Sequence, residues 1–236
     1  MLAVVDCRTN EKPKETLYRL GYKVIALPPY GKLEKAVASH PDMLIFPLCG
    51  KLITSKEYYN ENRSLLDEIL FCAGFELLIS EKEIGDRYPD NVCFNAARVG
   101  KYLIANTEYT AKEILSVADE IGLIPINIKQ GYSKCSICVV SEDAVITSDS
   151  GIYKTLSEKT DLDVLKIREG FVDLPPFAYG FIGGATGADN KNVYFCGDLN
   201  THPDADKIRA FCQKHSKNAV SLSGGNLIDV GTIFLF

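Results

Sequence analysis

Three stretches of the chain repeat one order of polar and apolar positions: an amphipathic run, a glycine, then a short apolar run. Residues 12–20 lead through Gly21 to Tyr22-Lys-Val-Ile-Ala-Leu27. Residues 62–73 lead through Gly74 to Phe75-Glu-Leu-Leu-Ile79, and residues 110–121 through Gly122 to Leu123-Ile-Pro-Ile-Asn-Ile128. In 110–121 the apolar positions Ala111, Ile114, Leu115, Ala118 and Ile121 fall on one face of a helix. Glycine just past a helix end accepts the left-handed backbone needed to turn the chain out. Each stretch therefore predicts helix, turn and strand. The strands, rich in Leu, Ile and Val, are expected to be buried on both faces.

Two short apolar runs precede most of these helices. Residues 43–46 and 51–53 come before the second helix, and 92–95 and 101–105 before the third. Residues 137–140 and 144–147 precede a fourth helix at 151–159 with a strand at 162–167. Residues 178–182 and 193–196 precede a fifth at 204–214 with a strand at 219–222. The repeating unit is strand, strand, helix, strand, at a spacing of roughly 45 residues. The first unit lacks a strand, opening on residues 2–5, and the last has one to spare at 232–236. Pairing the two ends makes five equal ββαβ units in a closed ring without a free edge between first and last. The expectation is an α/β fold with five blades in one domain, 1–236. The plainer alternative is a three-layer α/β sheet with uneven connections.

Composition narrows the function. The net charge is −5 and 46% of residues are hydrophobic. No basic stripe marks a nucleic-acid or anionic-membrane surface. No run approaches the ~20 apolar residues of a membrane span, and the N-terminus reads as a strand and not as a leader. Eight cysteines in a chain of this size, without an export signal, are expected to be reduced thiols in the cytoplasm. Cys135 and Cys138 form a single C-x-x-C without the second pair of a zinc site. No metal and no cofactor are expected. The acidic balance favours a small cationic or zwitterionic ligand.

A ring of five ββαβ units is the architecture of the guanidino-group-modifying (pentein) superfamily, and two further features resemble it. Ser223-Gly-Gly-Asn-Leu-Ile-Asp-Val-Gly-Thr-Ile233 resembles the glycine-rich approach to the last strand of those enzymes. His202-Pro-Asp204, at a helix start, resembles their H-x-D motif. Gln130-Gly-Tyr-Ser-Lys-Cys135 and Gly180-Phe-Ile-Gly-Gly184 resemble an uncharacterised bacterial branch of the fold. The resemblance implies attack of a cysteine thiolate on a guanidinium carbon, a histidine as acid and base, and carboxylates that hold the cation. Two departures stand out. The approach to the last strand holds Asp229, Val230 and Gly231 where the family has its nucleophilic cysteine, and the histidine lies in the fifth unit instead of the fourth.

In a closed ring, the loops leading into each unit's first strand converge. They carry His40 and Asp42, then Asp90 and Cys93, then Cys135, Asp173 and Asp229. Cys135 is the candidate nucleophile, with His40 and His202 as candidate acid and base; Asp42, Asp173, Asp204 and Asp229 are candidate substrate carboxylates. Lys134 is expected to depress the Cys135 pKa if it faces the site. Each residue also has a structural reading. Cys72, Cys196 and Cys212 sit among apolar neighbours and read as core, as do Cys7, Cys49, Cys93 and Cys138. Asp204 reads as a helix cap, His215 as a helix end, and Gly183–Gly187 as a hairpin turn. Asp6 and Arg8 read as a salt bridge where the ring closes; Asn95 is open between the axis and a turn. Two functions follow: a cysteine hydrolase or transferase acting on a small guanidino or related C–N substrate, or a catalytically inactive binder of amines or amino acids on the same fold.

Overall fold

A computed structural model describes residues 1–236. The chain opens with β1 (Leu2–Asp6), α1 (Glu11–Arg19) and β2 (Lys23–Leu27). The next unit is α2 (Pro41–Leu44), β3 (Ile45–Leu48), β4 (Lys51–Ser55), α3 (Lys56–Glu61), α4 (Arg63–Ala73) and β5 (Glu76–Ser80). Then come β6 (Ala97–Val99), β7 (Tyr102–Ala105), α5 (Lys112–Glu120) and β8 (Ile124–Asn127). A one-turn helix α6 (Ser133–Ser136) leads to β9 (Cys138–Ser141), β10 (Ala144–Thr147), α7 (Ser150–Lys159) and β11 (Asp163–Lys166). The last segment holds β12 (Val172–Asp173), β13 (Thr186–Ala188), β14 (Asn192–Phe195), α8 (Ala205–Lys214), β15 (Asn218–Ser221), β16 (Leu227–Ile228) and β17 (Phe234–Leu235).

These strands form five three-stranded sheets of one topology. In β3-β4-β5, β6-β7-β8, β9-β10-β11 and β13-β14-β15 the middle strand runs antiparallel to the first and parallel to the third. The fifth sheet, β17-β1-β2, has the same topology across the chain ends, with Ala3 opposite Leu235 and Val4 opposite Phe234. The terminal pairing expected from the strand count is present. A two-stranded parallel ladder, β12-β16, lies apart from the five.

Apolar cores join each unit to its neighbours. One cluster spans the first three units, and another places Val99 and Ile104 with Val145 and Leu156. A third joins Ile146 to Phe195 and Ile208; a fourth joins Ala3 and Val5 to Tyr194 and Ile233. The middle strands are almost wholly buried, β1 and β10 at every position. The third strands are not, contrary to expectation: Glu76, Ile124 and Asn218 are exposed, because these strands take the outer edge of each sheet.

Helix ends follow local chemistry. Ser55 caps α3 by accepting from the Tyr58 N–H at 3.3 Å. Gly74 ends α4 at φ +68°, in the left-handed region where a side chain is costly. Three predicted strands are misplaced. Pro41 starts α2, so the strand expected at 43–46 begins at Ile45. Residues 92–95 leave a 3-10 turn at Asp90–Val92, and the strand follows at Ala97. Residues 178–182 are irregular because the Phe181 N–H donates to the Asp229 carboxylate (2.9 Å) instead of a ladder; β13 follows at Thr186. The hairpin turn lies at 189–191, so Gly183–Gly187 is not that turn.

Candidate functional site

The chemistry collects where chain segments pass into or out of these sheets. His40 sits before Pro41 in extended backbone (φ −61°, ψ 118°), as a residue ahead of proline must, and Asp42 follows in the first turn of α2. The Asp42 N–H donates to the Gly231 carbonyl at 3.0 Å, tying this turn to the approach of β17. Cys135 comes from α6, Asn95 from the segment ahead of β6, Asp229 from the end of β16, and Asp6 from the end of β1.

Cys135 is 2% exposed. Its thiol donates to Asp42 Oδ2 at 3.1 Å and accepts from Asn95 Nδ2 at 3.1 Å. Asn95 Oδ1 in turn accepts from the Lys134 and Cys135 N–H groups, at 2.7 and 3.3 Å, fixing the one-turn helix that carries the thiol. Thr232 Oγ1 donates to the same Asp42 oxygen at 2.8 Å. Lys134 Nζ reaches Thr232 Oγ1 at 3.2 Å and the Ile137 carbonyl at 3.3 Å. A hydrogen-bonded line thus runs from Lys134 through Thr232 and Asp42 to the thiol.

His40 is 1% exposed and neither ring nitrogen has a hydrogen-bond partner. Nδ1 lies 3.8 Å from Asp229 Oδ1 and Nε2 lies 3.8 Å from Asp6 Oδ2. Asp42 Oδ1 is likewise buried and unpartnered. Donor atoms of His40, Asp42 and Cys135 all lie within 4.8 Å of one another. They are the nitrogen, oxygen and sulfur types that also bind zinc. Glycines allow this closeness. A Cβ on Gly184 would meet Asp229 Oδ1 at 1.9 Å, and one on Gly231 (φ +66°) would meet His40 Cβ at 2.1 Å.

Burial sets the protonation states. It pushes the Cys135 thiol well above its ordinary value, with Asp42 and Asp229 adding to the effect. It raises the carboxyls of Asp42 and Asp229 and lowers the His40 imidazole, although Lys134 opposes the first and His40 the second. Lys134 is lowered by burial. Asp6 differs: burial opposes its charge, yet hydrogen bonds from Arg8 and Ser39 hold its carboxyl below the ordinary value. At neutral pH the resting cluster is a protonated thiol beside a neutral imidazole.

A cavity of about 370 Å³ opens above this floor. Cys135, His40 and Asp229 lie at its base, and Tyr132, Phe181, Phe177 and Tyr179 line its walls. Glu34, Asp149 and Glu169 add three more carboxylates, and no Lys or Arg lines it.

Of the residues singled out from sequence, Cys135, His40, Asp42 and Asp229 come together here; His202, Asp204 and Asp173 do not. His202 packs on Phe171 at 5.5 Å, and its Nδ1 accepts from the Asp204 N–H at 3.0 Å. Asp204 does not cap α8 through its side chain; its carboxylate takes the Arg168 N–H and guanidinium and Lys207 Nζ. Asp173 is exposed and accepts from Asn226 Nδ2 at 3.1 Å, though its carbonyl accepts the Asp229 N–H at 2.9 Å. Asp90 is exposed near Lys82, and Cys93 lies in the core. Lys134 does not bring the thiol below its ordinary value: burial, Asp42 and Asp229 outweigh it, and its ammonium turns to Thr232. Cys72 and Cys49 are exposed, not core, and all eight cysteines are free.

Asp6 and Arg8 form the expected ion pair, which also presents Asp6 to His40. Asn95 resolves as the residue that grips the cysteine turn. Thr232, Glu34, Asp149 and Glu169 had no sequence signal beyond their residue types.

The model of a family described as "Family of unknown function (DUF6873)" matches residues 4–234. The chain belongs to that family. No curated protein matches it in sequence. Solved structures do match in fold. Dimethylarginine dimethylaminohydrolase from Pseudomonas aeruginosa, complexed with citrulline, aligns with a TM-score of 0.59 at 9% identity, over 94% of this chain and 91% of that one. An amidinotransferase from Microseira wollei aligns at 0.58 and 11%, over 94% and 88%. C. jejuni agmatine deiminase aligns at 0.57 and 9%, over 94% and 87%. The chain has the pentein α/β fold, and at these identities the likeness speaks for fold alone.

Proposed function

We propose that this protein is a cysteine hydrolase or transferase acting on a small cationic guanidino or related C–N compound. Cys135 is the nucleophile, His40 the acid and base, and Asp229 and Asp42 the carboxylates around the cation. One observation carries the reading. A buried thiol, an unpartnered imidazole and the Asp229 carboxyl share the floor of an acidic cavity that no Lys or Arg lines, with Asp42 behind them against the thiol. Closure of the five sheets as one ring over residues 1–236 is part of the reading. It is supported by the β17–β1 pairing and by contacts of β6 with β9, β9 with β13 and β13 with β17. Reduced thiols throughout fit a cytoplasmic setting.

The chemistry follows from the charges. A bound guanidinium places a cation against the thiol and the carboxylates, which favours their ionised forms and reverses the effect of burial. Cys135 Sγ bonds to the central carbon while its proton passes to His40. The carbon–nitrogen bond to the leaving amine breaks as that nitrogen takes the proton from His40. Water then attacks the same carbon, His40 accepts its proton, and the carbon–sulfur bond breaks with return of the proton to Sγ. The products are an amine and a urea; with an amine in place of water the step is a transfer.

The test uses charge as the variable. Chloroacetamidine carries an amidinium and chloroacetamide is its neutral counterpart; exposed Cys49 and Cys72 provide references within the same protein. Relative to those references, Cys135 is expected to prefer the amidine by at least about tenfold, and Asp229→Asn should remove the preference. Equal selectivity at Cys135 and Cys72 would refute the reading. A second function, binding without turnover, is favoured by Asp229 standing where the resembling enzymes carry their cysteine. It predicts that butylguanidine shields Cys135 while chloroacetamidine gains nothing over chloroacetamide.

A further inference from the structure

We infer that the ligand carries a second cationic group, at the end opposite the one that meets Cys135, and no free carboxylate. This rests on the reading of the cavity as a guanidinium site and specifies which guanidines it takes.

The cavity is graded in depth. Cys135, His40 and Asp229 are at most 4% exposed and form its floor, whereas Glu34 and Glu169 are exposed and stand at its rim. The floor offers the unpartnered imidazole nitrogens of His40. The rim offers two carboxylates that make neither an ion pair nor a side-chain hydrogen bond, unlike most acids elsewhere on this surface. Asp149 adds negative charge, although its oxygens already accept from the Ile152 N–H at 2.8 Å and Gln130 Nε2 at 3.4 Å.

Three cations close to the site, Arg8, Lys134 and Arg168, are engaged away from the cavity. Arg8 holds Asp6 and the Lys35 and Ala36 carbonyls. Lys134 holds Thr232 and Ile137, and Arg168 holds Asp204 and the Pro203 carbonyl. A ligand carboxylate would therefore meet four carboxylates and no cationic partner. A second ammonium would meet Glu34 and Glu169 after an apolar spacer had passed Tyr132, Phe177, Tyr179 and Phe181, whose faces also attract cations.

Binding to the full-length Cys135→Ser protein separates the possibilities without turnover. The probes are butylguanidine, 4-guanidinobutylamine, 4-guanidinobutyrate and arginine, titrated by calorimetry at low ionic strength. 4-Guanidinobutylamine is expected to bind about tenfold more tightly than butylguanidine, as two rim carboxylates at water-like screening allow. 4-Guanidinobutyrate should bind more weakly than butylguanidine. In the double variant Glu34→Gln, Glu169→Gln, at exposed positions that leave the core intact, the diamine's advantage should vanish while butylguanidine keeps its affinity. Arginine or 4-guanidinobutyrate binding as tightly as 4-guanidinobutylamine would overturn the inference, with the guanidinium reading left standing. If none of the four bound, both would fall.

Discussion

Replacing His40 by Leu should make the protein more stable, and the size of the gain tests whether its ring is neutral. The side chain is 1% exposed, and both nitrogens lack partners. Leaving a buried polar group unpaired costs about 1–3 kcal/mol. Leucine has a similar volume, so little cavity or overpacking cost enters. With the imidazole neutral, the attraction lost towards Asp229 and Asp6, each 3.8 Å away, is small. The expected gain at pH 7 is about 1–3 kcal/mol, or about 2–4 °C in Tm for each kcal/mol in a chain of this size. Urea unfolding measures it, with an unchanged m-value showing that the same surface is exposed. The pH dependence gives a second readout. Burial lowers the His40 pKa from 6.5, so below that pH the unfolded chain takes a proton that the folded chain refuses. The wild-type protein should therefore lose stability as pH falls from 6.5 through the depressed folded value, and the variant should lack this component. His202, lowered in the same sense, is common to both proteins and cancels in the difference. A loss of more than about 1 kcal/mol at pH 7, with m unchanged, would refute the reasoning, because it would mean a charged ring stabilised by its two carboxylates.

Further outcomes follow from the same geometry. Asp42→Asn should stabilise the protein at neutral pH: a buried carboxyl with a raised pKa supports the fold below its unfolded value of 3.8 and loses that support as pH rises through the folded value. Urea unfolding across pH should show the difference disappear in acid, and Cys135 alkylation should quicken as one neighbouring negative charge is removed. Gly184→Ala, which drives a Cβ to 1.9 Å from Asp229 Oδ1, should cost about 1–3 kcal/mol, measured against Gly31→Ala, whose Cβ meets open space. Arg168→Ala should lower stability at pH 7 and lose that effect as pH falls through the depressed pKa of Asp204, while Cys135 alkylation stays unchanged.

The repeat was readable because helix, glycine and strand recur in a fixed order, and each glycine ends a helix for a local reason. The terminal pairing was readable by counting strands. What failed was position wherever a distant segment took over a local backbone group. Residues 178–182 have a strand-like composition, yet the Asp229 carboxylate claims the Phe181 N–H, and Gly184 lies too close to Asp229 for any side chain. Half of the site was readable because His40, Asp42, Cys135 and Asp229 are chemically capable residues in loops at equivalent positions of the repeat. His202 has the same local signature as His40, each standing before Pro-Asp. The contrast lies in their surroundings: Arg168, 36 positions before Asp204 in the chain, neutralises that carboxylate, while no cation reaches Asp42 except through Thr232.

That contrast also argues that the Cys135 cluster exists for a ligand. A structural network of buried polar groups satisfies its members, as Asp204 shows by taking Arg168 and Lys207, and Asp189 by taking Tyr22, Tyr194 and two N–H groups. The Cys135 cluster does the reverse. It holds two idle imidazole nitrogens and an idle carboxylate oxygen in a setting that raises the thiol and the carboxyls together. An arrangement made only to hold the fold would be better filled by apolar side chains. An imidazole acceptor nitrogen and a carboxylate oxygen that both lack a donor, beside carboxyls held back from ionising, are what a preorganised cation site requires.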